Sequence, residues 1–185
     1  MADAAEQVRL PNLELLGGAS EFASQIHAII PRSKLFENFN LAEIRLLSHF
    51  MEIFRAEPGL EVIREGEPGD FMMLLVEGRI EVFKQDRWNS PRLIAVLQPG
   101  DTVGEMSMID GEPRFATCVA AERSQLAVLT RENLARIILE QPILGAKVLM
   151  ELVQMLSQRL RLTSIKLVAY MDSGKQDEPG NWGGA

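Results

Sequence analysis

Gly104-Glu105-Met106-Ser107-Met108-Ile109-Asp110-Gly111-Glu112-Pro113-Arg114-Phe115-Ala116-Thr117 reads as a glycine, an acid, one short amphipathic turn, a second glycine, then proline and a lone arginine entering a strand. A helical turn starting at Gly104 and Glu105 leaves its first backbone N–H groups without intrahelical partners, and its dipole favours negative charge there. Gly104 lets a ligand approach the backbone closely. Arg114 supplies permanent charge and a fork of donors suited to phosphate. Glu105 repels a phosphate but, as a pure acceptor, suits a sugar hydroxyl. An acid and an arginine beside a helix start describe a phosphorylated sugar better than a bare anion. A plain ion pair between Glu105 and Arg114 inside a barrel is the other reading of the same residues.

On either side of this stretch the pattern is that of short strands. Glycines at 59, 66, 69, 78, 100 and 104 separate β-prone runs at 51–55, 61–64, 71–77, 79–84, 92–97, 115–121 and 125–129. Short strands with turn residues between them predict an all-β barrel or jelly roll. Glu77-Gly78 suits a tight hairpin turn, and residues 85–91, with Trp88, a longer one. Upstream, Ser20 is placed to cap a helix carrying Phe22, Ile26, Ile29 and Ile30 until Pro31. Asn40, with Glu43 three residues on, begins a second one. Downstream, Thr130 begins a short helix, and Pro142 marks a bend before a long one. In the long helix Ala146, Leu149, Val153, Leu156, Leu160, Thr163, Leu167 and Tyr170 form a heptad seam. Val148, Leu152 and Met155 form a neighbouring stripe suited to packing on the barrel. One stripe inward and one seam left over predict a homodimer through the C-terminal helix; a single broad core-facing side is the alternative. The expected organisation is a flexible leader over 1–19, where Gly17-Gly18 breaks any helix begun at Asn12, and one domain over 20–171. Within the domain, 20–50 are helices, 51–130 the barrel and 131–171 a hinge and helix. Residues 172–185 are polar, glycine-rich and expected to be disordered.

Composition narrows the function. At 185 residues the chain suits one domain, and 46% hydrophobic with 24% charged residues is ordinary for a globular protein. A formal net charge of −7 argues against a nucleic-acid surface, which needs a basic face. The one cysteine, Cys118, excludes an internal disulfide and reads as a buried, inert thiol. The acidic N-terminus is no secretory signal, and no apolar run approaches a bilayer's span, so a cytoplasmic location without a membrane partner is expected. The two histidines, His27 and His49, both fall in the N-terminal helices. With them far from the barrel, neither a metal cluster nor a nucleophile–base pair is expected, and the chain reads as no enzyme, with no catalytic and no metal-binding residues.

The stretch 104–117 resembles the phosphate-binding cassette of cyclic nucleotide-binding domains, as in catabolite activator protein and the regulatory subunits of cyclic AMP-dependent protein kinase. The pattern matches at Gly104, Glu105, Pro113, Arg114, Ala116 and Thr117 and departs at Phe115, where the family usually has a small residue. The glycine spacing is similar over residues 35–164. The resemblance implies a mainly β fold with flanking helices: an eight-stranded antiparallel β-roll, or double-stranded β-helix, with the cassette between its sixth and seventh strands. It implies a 3′,5′-cyclic nucleotide bound by Gly104, Glu105, Met106, Ser107, Arg114, Phe115, Ala116 and Thr117. The phosphate would meet Arg114 and the amides around Met106 and Ala116, and the ribose 2′-hydroxyl would meet Glu105. Relatives that prefer cyclic GMP commonly carry threonine after the arginine. Phe115 has no hydroxyl, so cyclic AMP is the expected ligand and cyclic GMP the second choice; no other cofactor is implied.

The segment Arg159-Leu160-Arg161-Leu162-Thr163-Ser164 resembles the helix that ends in a Thr-Ser pair contacting adenine, which adds Thr163 and Ser164 to the site. A ligand touching cassette and helix together shifts the population towards their close arrangement, with Pro142 as the hinge. No helix-turn-helix follows the long helix, so the expected output is to the partner subunit or another protein effector, without direct DNA binding. The bulk of Phe115 leaves two further readings open: a degenerate dimerisation or scaffold module, and a binder of another nucleotide such as cyclic di-GMP.

Overall fold

The computed structural model describes residues 10 and 12–174. In chain order the elements are β1 (Glu14–Gly18), α1 (Ala23–Ile29), α2 (Leu41–Ser48), β2 (Glu52–Ala56), β3 (Glu61–Ile63), β4 (Phe71–Glu77), β5 (Ile80–Gln85), β6 (Pro91–Leu97), β7 (Thr102–Val103), α3 (Glu105–Asp110), β8 (Thr117–Ala120), β9 (Ser124–Thr130), α4 (Arg131–Glu140) and α5 (Pro142–Gly174). The strands form two antiparallel sheets, β1-β2-β9-β4-β7 and β3-β8-β5-β6. This is the β-roll with flanking helices.

Two cores result from strand alternation. Met73 and Leu75 of β4 point between the sheets, where they meet Phe54, Ile80, Val82, Cys118, Leu126 and Val128. Met72, Leu74 and Val76 point the other way, into a layer with Ile26, Leu35, Leu47, Leu134, Val148 and Leu152. Because both faces of β4 are covered, it reads as an unbroken apolar run rather than an alternating one.

The helices start where the sequence places their caps, with one exception. Asn40 Oδ1 accepts from the Glu43 amide at 3.0 Å, and Glu43 Oε2 accepts from the Asn40 amide at 2.8 Å. Thr130 Oγ1 accepts from the Asn133 amide at 3.0 Å to start α4. Gln141 breaks the run, and Pro142 opens α5, where its missing N–H costs nothing. Ser20 caps no helix: it lies inside a short 3₁₀ turn, Ala19–Phe22, and α1 begins after it. Val148, Leu152 and Met155 pack on the roll as expected. The heptad positions Ala146, Leu149, Val153, Leu160, Thr163, Leu167 and Tyr170 are exposed. Polar ties hold α5 to the N-terminal segment: Lys147 Nζ to Glu43 at 2.7 Å, Asn38 to Glu151 at 2.8 Å and Lys34 to Gln158 at 2.9 Å.

The structure corrects the expected boundaries. The leader is not loose throughout: residues 14–18 pair with β2, Glu14 opposite Arg55 and Gly18 opposite Glu52. No helix begins at Asn12 for the two glycines to break; they lie in the strand itself, which bulges between Leu15 and Gly17 and runs into the 3₁₀ segment. Strand β7, two residues long, escaped notice. Strand β8 starts only at Thr117, because Arg114 leaves the ladder to pair with the β3–β4 loop: its amide donates to Glu67 O at 2.8 Å and its carbonyl accepts from the Gly66 amide at 2.9 Å. Residues 172–174 continue α5. The rest of the expected tail, with Trp182, and the first part of the leader lie outside the described residues. Among the described residues no helix is long and apolar enough to cross a membrane.

Candidate functional site

Strand β7 delivers Gly104 in the left-handed region, φ +84°. A Cβ there would lie 2.7 Å from Arg114 Nη1 and 3.0 Å from Phe71 O, so the position excludes any side chain. Helix α3 follows for one and a half turns and ends at Gly111, again left-handed. Its last carbonyls are closed by Arg131, the first residue of α4: Nε donates to Met108 O and Nη2 to Ser107 O, both at 2.7 Å. The cassette is therefore fixed from both ends, by a glycine and by an arginine at the start of α4.

Arg114 is 4% exposed. Its Nη1 donates to Phe71 O at 2.8 Å and to Gly104 O at 2.9 Å, and its guanidinium lies 4.2 Å over the Phe71 ring. Its flank rests on Gly69, where a Cβ would fall 1.9 Å from Nε. Nη2 is buried and donates to no protein group. Burial pulls the guanidinium's pKa down, opposed chiefly by the charge of Asp70.

Glu105, 2% exposed, is buried at the first turn of α3. Its ion pair is with Arg159 Nη1 of α5 rather than with Arg114; Arg159 Nη2 also donates to Thr102 O at 2.7 Å. Glu105 Oε2 is buried without a hydrogen bond. Burial pushes the Glu105 carboxyl above the usual carboxylate range, against the pull of Arg159. Burial prevails because the Arg159 side chain is 45% exposed, so water screens its charge.

Of the expected site residues, the structure brings Gly104, Glu105 and Arg114 together, Arg114 Nη1 on Gly104 O and the charges of Arg114 and Glu105 acting on each other; Met106 and Ser107 continue α3, and Phe115 and Ala116 follow Arg114 in the chain. Thr117 lies on β8 with its Oγ1 accepting from the Glu65 amide at 3.0 Å. Thr163 and Ser164 are exposed, one turn beyond Arg159, and their hydroxyls donate back to Arg159 O at 2.8 Å and Leu160 O at 2.9 Å. Sequence reasoning missed Arg159, Arg131, Gly69 and Phe71. A signal for Arg159 existed: it continues the inward stripe Val148, Leu152, Met155 at steps of four, three and four, and a charge on a core-facing stripe needs a buried partner. Cys118, beneath the site, is buried, and its thiol pKa is pushed up to about 12. Among the described residues no three His, Cys, Asp or Glu side chains are grouped to hold a metal ion.

Comparison with known proteins gives a concordant result. A family profile described as "Cyclic nucleotide-binding domain" matches residues 53–141. The fold superposes on a crystal structure of a cyclic nucleotide-binding domain from Methylobacillus flagellatus KT with a TM-score of 0.78, at 36% identity over 89% of this chain and 93% of that one. The cyclic AMP receptor protein of Thermus thermophilus is 29% identical over 73% of this chain and 61% of its own length. A cAMP-dependent protein kinase regulatory subunit of Yarrowia lipolytica is 28% identical over 67% of this chain, which spans only 32% of that subunit.

Proposed function

The chain belongs to the cyclic nucleotide-binding domain family, and on that premise we propose that it is a sensor module for a 3′,5′-cyclic nucleotide, with cyclic AMP the preferred ligand. One observation carries this reading: the structure leaves two complementary buried atoms without partners, Arg114 Nη2 and Glu105 Oε2. Buried polar atoms are rarely left so, and here one seeks an acceptor and the other a donor. A cyclic phosphate satisfies the first and a ribose hydroxyl the second. The single phosphate charge meets the single arginine, so neither ion is buried uncompensated.

The relay follows from Arg159. It holds α5 to Glu105, the group that the ribose engages, so a ligand that changes the contacts of Glu105 changes the hold on the helix. Binding then shifts α5 between two positions about the break at Gln141 and Pro142. The exposed heptad positions of α5 support a second copy of the chain, or another protein, as the reader of that shift. The specific observation favouring a non-binding scaffold is that same exposed seam beside a Glu105 already occupied by Arg159.

Calorimetric titration with cyclic AMP, cyclic GMP and cyclic di-GMP separates these readings; heat with none of the three leaves the scaffold. Arg159→Met is expected to remove the ligand-induced change in hydrogen exchange across residues 142–164 while leaving cyclic AMP affinity within about tenfold. A ligand-induced change that persists in that variant rules the relay out. Gly69→Ala is expected to displace the Arg114 guanidinium. Its affinity should fall by at least about tenfold, roughly 1.4 kcal/mol, with a far-UV spectrum like that of the unmodified chain. Unchanged affinity there would mean that the guanidinium is not positioned by Gly69.

A further inference from the structure

The cavity beside Arg114 has walls from two parts of the chain. Ile63, Phe71 and Arg114 line it from the roll, and Leu10, Asn12 and Leu13 line it from the residues ahead of β1. Ile63 also borders the cassette, since a Cβ on Gly104 would lie 3.1 Å from Ile63 Cδ1. Leu10 and Leu13 are half-buried and pack against the inter-sheet core, as Phe71 does. The Leu13 amide donates to Leu10 O at 3.0 Å, which ties the two leucines to each other. The ladder with β2 begins only at Glu14, where the ion pair to Arg55 anchors the chain. Leu10 and Leu13 are thus held on the cavity by apolar contact, just ahead of a fixed pivot. With them in place the cavity measures about 180 Å³. Sites that enclose a drug-sized ligand run to about 300–1,000 Å³, and a cyclic nucleotide is of that size. Arg114 lines the cavity and yet is 4% exposed. A nucleotide needs more room there than this arrangement leaves.

We infer that Leu10, Asn12 and Leu13 form an autoinhibitory strap, seated on the cavity beside Arg114 and displaced when a nucleotide enters it; this rests on the nucleotide reading above. Strap and ligand compete for one surface, so the hold of the strap helps to set the affinity. Only molecules with the strap lifted are competent, and the apparent dissociation constant is the intrinsic one divided by their fraction. Two half-buried leucines correspond to about ten- to hundredfold in such an equilibrium. That hold is strong enough to lower affinity and weak enough for a ligand to overcome. Its release also marks the N-terminal side of the domain as responsive, apart from the Arg159 contact that reports to α5.

The test is calorimetric titration of 3′,5′-cyclic AMP into the full chain and into its double variant Leu10→Ala, Leu13→Ala, with far-UV spectra to check folding. The double variant is expected to bind about tenfold tighter. In a second arm the full chain carrying Leu13→Cys is labelled with a thiol-reactive dye. Cys118 adds little to that signal, because it is buried and its thiol pKa is pushed up to about 12. Saturating cyclic AMP is expected to speed the labelling about fivefold or more, as the strap leaves the cavity. Equal or weaker binding by the double variant overturns the strap. So does labelling that cyclic AMP slows, the result expected if the leucines were a wall of the site, or leaves unchanged. Heat with the double variant alone supports the strap as the limit of a tight hold. Heat with neither chain overturns the nucleotide reading and this inference with it, whereas heat with both at equal affinity overturns the strap alone. Should the double variant not fold, the labelling arm decides.

Discussion

Arg114→Ala is expected to weaken cyclic AMP binding by about 3–5 kcal/mol, because the phosphate would then sit in a buried site without its counter-ion. The magnitude is that of breaking a buried ion pair by removing one partner, not the net worth of the pair. The same substitution takes the Arg114 Nη1 donor from two carbonyls, Phe71 O and Gly104 O, the second of which keeps the Met108 amide at 3.3 Å. Losing a hydrogen bond of this kind costs about 0.5–1.5 kcal/mol, so the variant should also melt at a lower temperature. Affinity must accordingly be measured well below that melting temperature, with the fold checked by circular dichroism. Arg114→Lys separates the two effects: an ammonium keeps the charge but not the fork that reaches two carbonyls and a ligand at once. Its affinity is expected between those of the unmodified chain and the alanine variant. Equal cyclic AMP affinity in the alanine variant and the unmodified chain would remove Arg114 from the site.

Glu105→Gln is expected to act in opposite directions on binding and on stability. A hydrogen bond to a charged acceptor is worth about 1.5–3 kcal/mol, so replacing the carboxylate by a neutral amide should weaken cyclic AMP binding by up to that amount. Without ligand the sign reverses. Burial raises the Glu105 carboxyl above its ordinary value of 4.5, so the folded state holds the proton more tightly than the unfolded chain does. For an acid shifted that way, stability is fully present below the unfolded value. It is lost as pH climbs from there through the raised folded value. Glutamine does not ionise and escapes that loss, yet its carbonyl still accepts from Arg159. The ligand-free variant should therefore melt above the unmodified chain at pH 7.5, with the gap closing as pH falls to about 4. A lower melting temperature for the variant at pH 7.5 would show that the Arg159 pair outweighs the burial of the carboxylate.

What the sequence discloses here is what is local. The cassette is legible because glycine, acid, turn and arginine lie within eleven residues of one another, and each residue type answers a nearby backbone need. The Asn40 and Glu43 capping box and the inward stripe of α5 are legible for the same reason. What stays hidden is non-local. Glu105 and Arg159 are 54 residues apart in the chain, and nothing near Glu105 announces its partner. β1 finds its place only through β2, about forty residues on, and its Glu14-Leu15-Leu16 beginning is as compatible with a helix as with a strand. β7 is two residues long, too short for any period to show. Gly69 reads as an ordinary turn glycine, and its use as a seat for the arginine depends on a side chain arriving from 45 residues away.

The placement of β1 has a bearing on how the molecule keeps to itself. β2 contains Ile53 and Phe54 in an apolar strand, and one of its sides is engaged by β9. On the other side β1 occupies its backbone donors and acceptors, and Glu14 grips Arg55 at 2.7 Å across the join. Bare, that side would be a template on which a foreign strand could add. The preface to the domain is thus the hem of the sheet: the outermost strand is short, bulged and pinned by a charged side chain, all features that make an edge a poor template for another chain.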